Sequence, residues 1–197
     1  MPASKKSIAL ALLALVALAI LAFWLLRSQR PQIPPKEAQE LGVMMAAAAR
    51  DNDLRHMQEL IEKGADLDAR SPDGTPALHW LARRNLAAQA DYLLDLGANP
   101  GLANEYGVTP LHVAAEFGSS DVLRRLIKSG APVDTLSRTG QTALMIAAGE
   151  GDGDNVKALL AAGANPNFAD KSYAQTPLML AVRGGSIVAG KAPIDAD

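Results

Sequence analysis

The chain has 197 residues, about the length of one ordinary domain, and 49% of them are hydrophobic but only 4% aromatic, a composition that favours small, closely packed helices over a β-sandwich. The absence of cysteine excludes disulfides, thiolate metal sites and cysteine nucleophiles. Residues 1–30 hold four of the 19 basic residues and none of the 21 acidic ones, so the rest of the chain has a net charge of −6, which argues against a nucleic-acid partner.

The first element in the chain is an apolar run. After a short basic head, residues 1–7, residues 8–26 form 19 consecutive apolar positions, close to the length that a helix needs to cross a bilayer. Because this run has no polar stripe, it differs from a helix of a globular core. The sequence therefore predicts a transmembrane helix that acts as a signal anchor.

A cleaved signal peptide is the alternative for this segment. Ala17-Leu18-Ala19 offers a small-x-small cleavage pattern. The uninterrupted run exceeds the usual 7–15 apolar residues of a signal peptide, and Trp24, Arg27 and Arg30 resemble an interfacial stop. These features favour the anchor.

The membrane topology is not decided by charge, because Lys5 and Lys6 on one side balance Arg27, Arg30 and Lys36 on the other. A short basic head retained in the cytoplasm suits an exported, extracytoplasmic domain, and a cytoplasmic domain remains the alternative. The Ala/Leu-rich anchor and the small size favour a bacterial periplasm. Residues 27–40 carry three prolines and many polar residues, which predicts a semi-extended linker.

The rest of the chain repeats with a period of 33 residues. One series of glycines, at positions 64, 97, 130 and 163, opens Gly-Ala-Asn/Asp-like segments. A second series, at 74, 107 and 140, lies within the segments DGTPALHWLA, YGVTPLHVAA and TGQTALMIAA. A partial copy, AQTPLMLAV, follows at residues 174–182. A period of 33 with Thr-Pro-Leu-His is typical of one repeat architecture.

This pattern resembles the ankyrin repeat over about residues 41–188. The resemblance implies an all-α solenoid of about four full repeats and a partial C-terminal one, followed by a short tail, residues 189–197. Each copy is a helix, a turn, a second helix and a hairpin-like loop, and copies must stack to share a core. Met45 replaces the motif leucine in the first copy, and the last copy lacks a proper second helix.

Local chemistry supports the repeat. Thr109 can cap the first helix with Pro110 at its first position, Ser119 or Ser120 can cap the second, and Gly130 can end it in a left-handed conformation. In the second copy, proline in place of threonine weakens the cap. The structural motif positions are Leu78, His79, Gly97, Thr109, Pro110, Leu111, His112, Gly130, Thr142, Leu144, Gly163, Thr176, Pro177 and Leu178.

Catalysis has no candidate residues in this sequence. His79 and His112 occupy the motif's histidine position, where the resemblance implies hydrogen bonds within and between repeats, and His56 lies alone on a polar helix face. The acidic stretch of residues 150–160 lacks the ligand spacing of a calcium loop, and Asp152 or Asp154 is better explained as a helix cap. We expect no catalytic residue, metal, cofactor or small-molecule substrate.

The resemblance implies a protein partner at the loop tips and along the first helices, which line the concave side. The positions that it assigns to partner binding are Pro72, Asp73, Arg83, Arg84, Glu105, Tyr106, Val108, Glu116, Phe117, Arg138, Thr139, Gln141, Glu150, Tyr173, Gln175 and Arg183. The expected function is a membrane-tethered, non-catalytic interaction module. A soluble exported protein that protects or neutralises an enzyme or toxin is the alternative, and it requires the cleaved signal peptide.

Overall fold

A computed structural model describes residues 33–171 and 173–183. Within these residues the regular structure is helical, apart from an isolated bridge between Arg70 and Pro76. The helices are α1 (Pro35–Asp51), α2 (Leu54–Glu62), α3 (Ala77–Arg83), α4 (Ala87–Asp95), α5 (Pro110–Glu116), α6 (Ser120–Lys128), α7 (Ala143–Glu150), α8 (Gly153–Ala161) and α9 (Pro177–Arg183).

The helices form two layers. The first helices of successive repeats, α1, α3, α5, α7 and α9, pack side by side in chain order, and each of the first four also packs against the second helix that follows it. The second helices α4, α6 and α8 pack in a row behind them. The expected stacked helix pairs are therefore present, from α1 to α9.

The core lies between the layers and between neighbouring repeats. The motif leucines Leu78, Leu111 and Leu144 are 3%, 1% and 1% exposed, and Met45, which takes their place in the first copy, is 0% exposed. Alanines fill much of the remaining core, because small side chains let neighbouring helices approach closely. One helix pair cannot enclose such a core, so each repeat depends on its neighbours.

The second helices end in the same way in all four full copies. After α6, Gly130 has a φ of 84°, its N–H donates to the carbonyl of Ile127, and the N–H of Ala131 donates to the carbonyl of Leu126. This pair of bonds satisfies carbonyls that the helix end would leave without partners. Glycine is favoured there because the left-handed conformation costs it no Cβ clash.

Two caps differ from each other. The carboxylate of Asp152 accepts from the N–H groups of Asp154 and Asn155 at 3.2 and 3.0 Å and so caps α8. Ser119 precedes α6 but makes no side-chain cap bond, and its residue is only 1% exposed. Ser119 therefore does not provide the expected hydroxyl cap of α6, and its side chain is buried.

Helix α1 begins at Pro35, inside the expected linker of residues 27–40. Proline is favourable at a first helical position because its missing N–H has no partner there in any case. Glu37 lies in the first turn, where a negative charge is stabilised. Residues 35–40 therefore belong to the repeat domain.

The last copy departs from the others in its packing. Leu178, at the motif leucine position of α9, is 45% exposed, and Met179 and Val182 are 57% and 72% exposed. The part of the chain that the structure describes ends with α9, so no later described helix covers these side chains. Leu178 therefore takes the motif leucine position of α9 without the burial of its counterparts in the earlier copies.

The expected membrane span, residues 8–26, and the tail, residues 189–197, lie outside the described residues. Among the helices that are described, none combines the length and the apolar character needed to cross a bilayer.

Candidate partner-binding face

The motif histidine of the third repeat joins two repeats. The N–H of Thr109 donates to Nδ1 of His112 at 3.1 Å, and the Thr109 hydroxyl lies 2.7 Å from the same nitrogen. Nε2 of His112 lies 3.0 Å from the carbonyl oxygen of Gln141 in the next repeat. Because a backbone N–H can only donate and a carbonyl can only accept, His112 is neutral with its proton on Nε2.

His79 makes the same bond to the next repeat but lacks the local one. Its Nε2 donates to the carbonyl of Val108 at 2.8 Å, whereas its buried Nδ1 has no hydrogen-bond partner. Proline at position 76 has no N–H to donate. Burial lowers the pKa of His79 to about 4 and also lowers the pKa of His112, so both rings are neutral parts of the scaffold.

The loop tips present two strongly exposed aromatic rings. Tyr106 is 63% exposed and Tyr173 is 80% exposed. The guanidinium of Arg138 lies 5.9 Å from the centre of the Tyr106 ring and donates to the carbonyl of Glu105. Arg138 thus ties two neighbouring tips together and holds one face of Tyr106 in place.

The tip of the second repeat is stabilised from within. The carboxylate of Asp73 accepts from the hydroxyl of Ser71 and, at 3.2 Å, from the N–H of Thr75. Burial alone would raise the pKa of Asp73, but these hydrogen bonds hold it below its usual range. The Asp73 carboxylate therefore makes its hydrogen bonds within its own turn, next to the exposed ring of Pro72.

The ends of the first helices carry a second arginine–aromatic pair. Phe117, 45% exposed, lies under the guanidinium of Arg83 at 4.8 Å from the ring centre. The neighbouring Arg84 donates to the carbonyl of Arg50 at 2.7 Å, so it caps the end of α1. Only one of the two adjacent arginines therefore covers an aromatic ring.

A groove of about 340 Å³ brings six of the expected partner-binding residues together. It runs from the loop tip after α6 to the ends of α5 and α7 and is closed on one side by α9. The expected residues on its walls are Val108, Glu116, Thr139, Gln141, Glu150 and Arg183. The other ten lie outside it, at the tips or on the repeats before it.

Several residues that line the groove were not among the residues predicted from the sequence. Ile146, Gly149 and Leu180 line its centre. Gly149 lies 33 residues after Glu116 and 66 after Arg83, so these three residues take the same position in successive copies. The other two are charged, whereas Gly149 has no side chain. Comparing positions 33 residues apart would have found this gap.

The same spacing would have found the contacts between repeats. Arg138 and Glu105 are 33 residues apart, and Arg83 and Phe117 are 34 apart. Such pairs are neighbours in the stack.

The sequence matches the family described as "Ankyrin repeats (3 copies)" over residues 43–137 and again over residues 123–190. A curated mouse protein, ankyrin repeat domain-containing protein 40, is 37% identical over 65 residues, which cover 32% of this chain and 17% of that protein. The chain therefore spans only a small part of this relative's length. On the family match and the stacked helix pairs together, the chain belongs to the ankyrin repeat family, whose repeats are protein–protein interaction modules.

Proposed function

We propose that this chain is a non-catalytic, membrane-tethered module that binds a protein partner through its concave face and loop tips. The observation that carries the proposal is the pair of exposed aromatic rings, Tyr106 and Phe117, each held by an arginine of a neighbouring repeat. Aromatic and arginine side chains dominate the energetics of protein interfaces. Rings that are already oriented lose less conformational entropy on binding.

The histidines support a scaffold role. A general base must reach a proton on a bound molecule, but Nε2 of His79 and Nε2 of His112 each donate to a carbonyl of the next repeat. Both side chains are 2% exposed or less. These hydrogen bonds join neighbouring repeats.

The tether is proposed from sequence. Nineteen apolar residues at positions 8–26, flanked by basic residues on both sides, have the length and the flanks of a membrane anchor. We place the repeat domain outside the cytoplasm, in a bacterial periplasm, with the short basic head on the cytoplasmic side.

The binding face is tested by removing both rings. Tyr106→Ala with Phe117→Ala should abolish capture of the partner that cross-linking in native membranes and mass spectrometry identify for the unaltered chain. Tyr92→Ala is the matched control, because Tyr92 is 40% exposed but lies on α4 in the second layer. Circular dichroism should show unchanged helicity in all three proteins. Equal capture by the double variant and the control would refute the assignment.

The tether is tested by extraction. Alkaline carbonate and high salt should leave the chain in the membrane pellet, and detergent should release it. Protease added to intact spheroplasts should digest the repeat domain. A mature protein whose N-terminal sequence begins near Ile20, recovered in the soluble fraction, would instead favour the exported protein that neutralises an enzyme or toxin.

A further inference from the structure

The groove, which is lined by the third, fourth and last copies, contains a position that has no side chain. The row of equivalent positions reads Arg50, Arg83, Glu116 and Gly149. A Cβ added to Gly149 would meet only the Cβ of Leu180, at 4.0 Å, so the space beside it is open and unstrained. The half-buried side chain of Ile146 and the nearly buried Leu180 form an apolar floor there.

Two exposed carboxylates stand at the end of this floor. Glu116 is the last residue of α5 and Glu150 is the last residue of α7, where backbone carbonyls at the helix ends add partial negative charge. No ion pair involving either glutamate is present in residues 33–171 and 173–183. The groove thus combines an apolar floor with two carboxylates that form no ion pair among the described residues.

The groove wall also carries one cationic side chain, that of Arg183. Arg183 donates to the side-chain oxygen of Gln175 at 3.2 Å, and Arg83 lies over the ring of Phe117. His112, on the groove wall, is kept neutral by burial, which lowers its pKa. The two glutamates therefore outnumber the one arginine among the residues that line the groove, which leaves a net negative charge for a cation of the partner.

We propose that this groove binds a lysine or arginine side chain of an extended segment of the partner protein, with the cation between Glu116 and Glu150 and an adjacent apolar side chain on Ile146 and Leu180. The inference rests on the proposed function and specifies its partner. An extended polypeptide fits better than a free amine, because the groove continues to the hydroxyls of Ser137 and Thr139. The hydroxyls bond to each other, but the side-chain amide nitrogen of Gln141, on the same wall, can donate to a peptide carbonyl.

The test is selection from an unbiased library of linear peptides displayed on phage, with the full chain as bait. Selected peptides should share a lysine or arginine next to an apolar residue. The most enriched peptide, made synthetically, should bind at least about tenfold more weakly to Glu116→Gln with Glu150→Gln, because charge-assisted bonds are lost. Its affinity for the unaltered chain should fall as salt rises.

Two further variants distinguish the groove from general surface charge. Gly149→Leu fills the open space and should also weaken binding at least about tenfold, while circular dichroism shows that the helices persist. Glu62→Gln removes an exposed carboxylate on α2, outside the groove, and should leave the affinity unchanged. The inference would be overturned if the selected peptides were acidic or shared no motif. It would also be overturned if the peptide bound equally well to the variant in which both glutamates are replaced by glutamine.

The failure of this inference differs from the failure of the proposed function. Capture of the native partner could be lost with Tyr106→Ala and Phe117→Ala but persist when both glutamates are replaced. That result would support the interaction face and refute the proposed binding of a basic segment of the partner in the groove. If capture survives all of these changes, the concave face is not the binding site.

Discussion

The second and third repeats place the same histidine in the same position and hold it differently. His112 has partners on both nitrogens, within its repeat and in the next. His79 keeps only the bond to the next repeat, and its Nδ1 is buried without a donor. The difference comes from Thr109 in one copy and Pro76 in the other.

This comparison separates two contributions of one side chain. The bond from Nε2 joins repeats, and both copies retain it. The bond to Nδ1 fixes the start of the first helix, and only the third copy has it. A repeat can thus lose its local cap and still be held by its neighbour, because the stack shares stability between units.

Alanine at His112 should have the largest effect, and alanine at His79 a smaller one. His112→Ala leaves the buried N–H of Thr109 and the carbonyl of Gln141 without their partners and opens a cavity, so we expect a loss of about 4 kcal/mol in the free energy of unfolding. His79→Ala opens a similar cavity, but it orphans only one carbonyl and removes a buried nitrogen that had no partner, so it should cost about 2 kcal/mol. Urea unfolding followed by circular dichroism measures both. Equal losses would show that the local bond to Nδ1 contributes nothing.

Low pH should destabilise the stack through His79, the histidine whose Nδ1 has no hydrogen-bond partner. The pKa of His79 is about 4 in the folded chain against an ordinary 6.5, and Arg70 adds to the effect of burial. Between these values the unfolded chain binds a proton that the folded chain does not, so stability falls as pH falls from 6.5 to 4. The loss is about 3 kcal/mol from this residue and is complete below pH 4.

The measurement is urea unfolding at stepped pH, with His79→Gln as the variant that cannot take up a proton. His112 acts in the same direction, so the variant should keep part of the pH dependence and lose the share due to His79. Parallel curves for the two proteins would contradict the assignment of a low pKa to His79.

Restoring the missing cap should have the smallest effect. Pro76 has φ −69° and ψ 158°, close to the φ −97° and ψ 165° of Thr109, so Pro76→Thr fits the backbone. The new N–H can donate to Nδ1 of His79, and we expect a net gain of about 1 kcal/mol. Pro72→Thr, in an exposed tip, is the control and should give no gain. A loss of stability in Pro76→Thr would show that the rigidity of proline matters more than the cap.

Much of the repeat could be predicted from sequence. The period and the glycines predicted where the second helices end, and the weak cap at Pro76 was expected from its residue type. Local chemistry decides these features, so a short window of sequence is enough.

Other features depend on how repeats are placed relative to one another. Arg84 and Arg138 each donate to a carbonyl of the preceding copy. The burial of Ser119 and the exposure of Leu178 likewise depend on whether a neighbouring copy is present in the described chain. The groove beside Gly149 is likewise a property of adjacent helices, and a single copy read alone does not contain it.

The early start of α1 at Pro35 limits how far the stack can stand from a bilayer. If residues 8–26 cross the membrane as proposed, only residues 27–34 separate the bilayer from the first helix, and eight residues reach at most about 27 Å when fully extended. The first repeat would then remain close to the lipid headgroups. A companion embedded in the same membrane would be confined to the same thin layer as the stack, so the two would meet more often than they would in free solution.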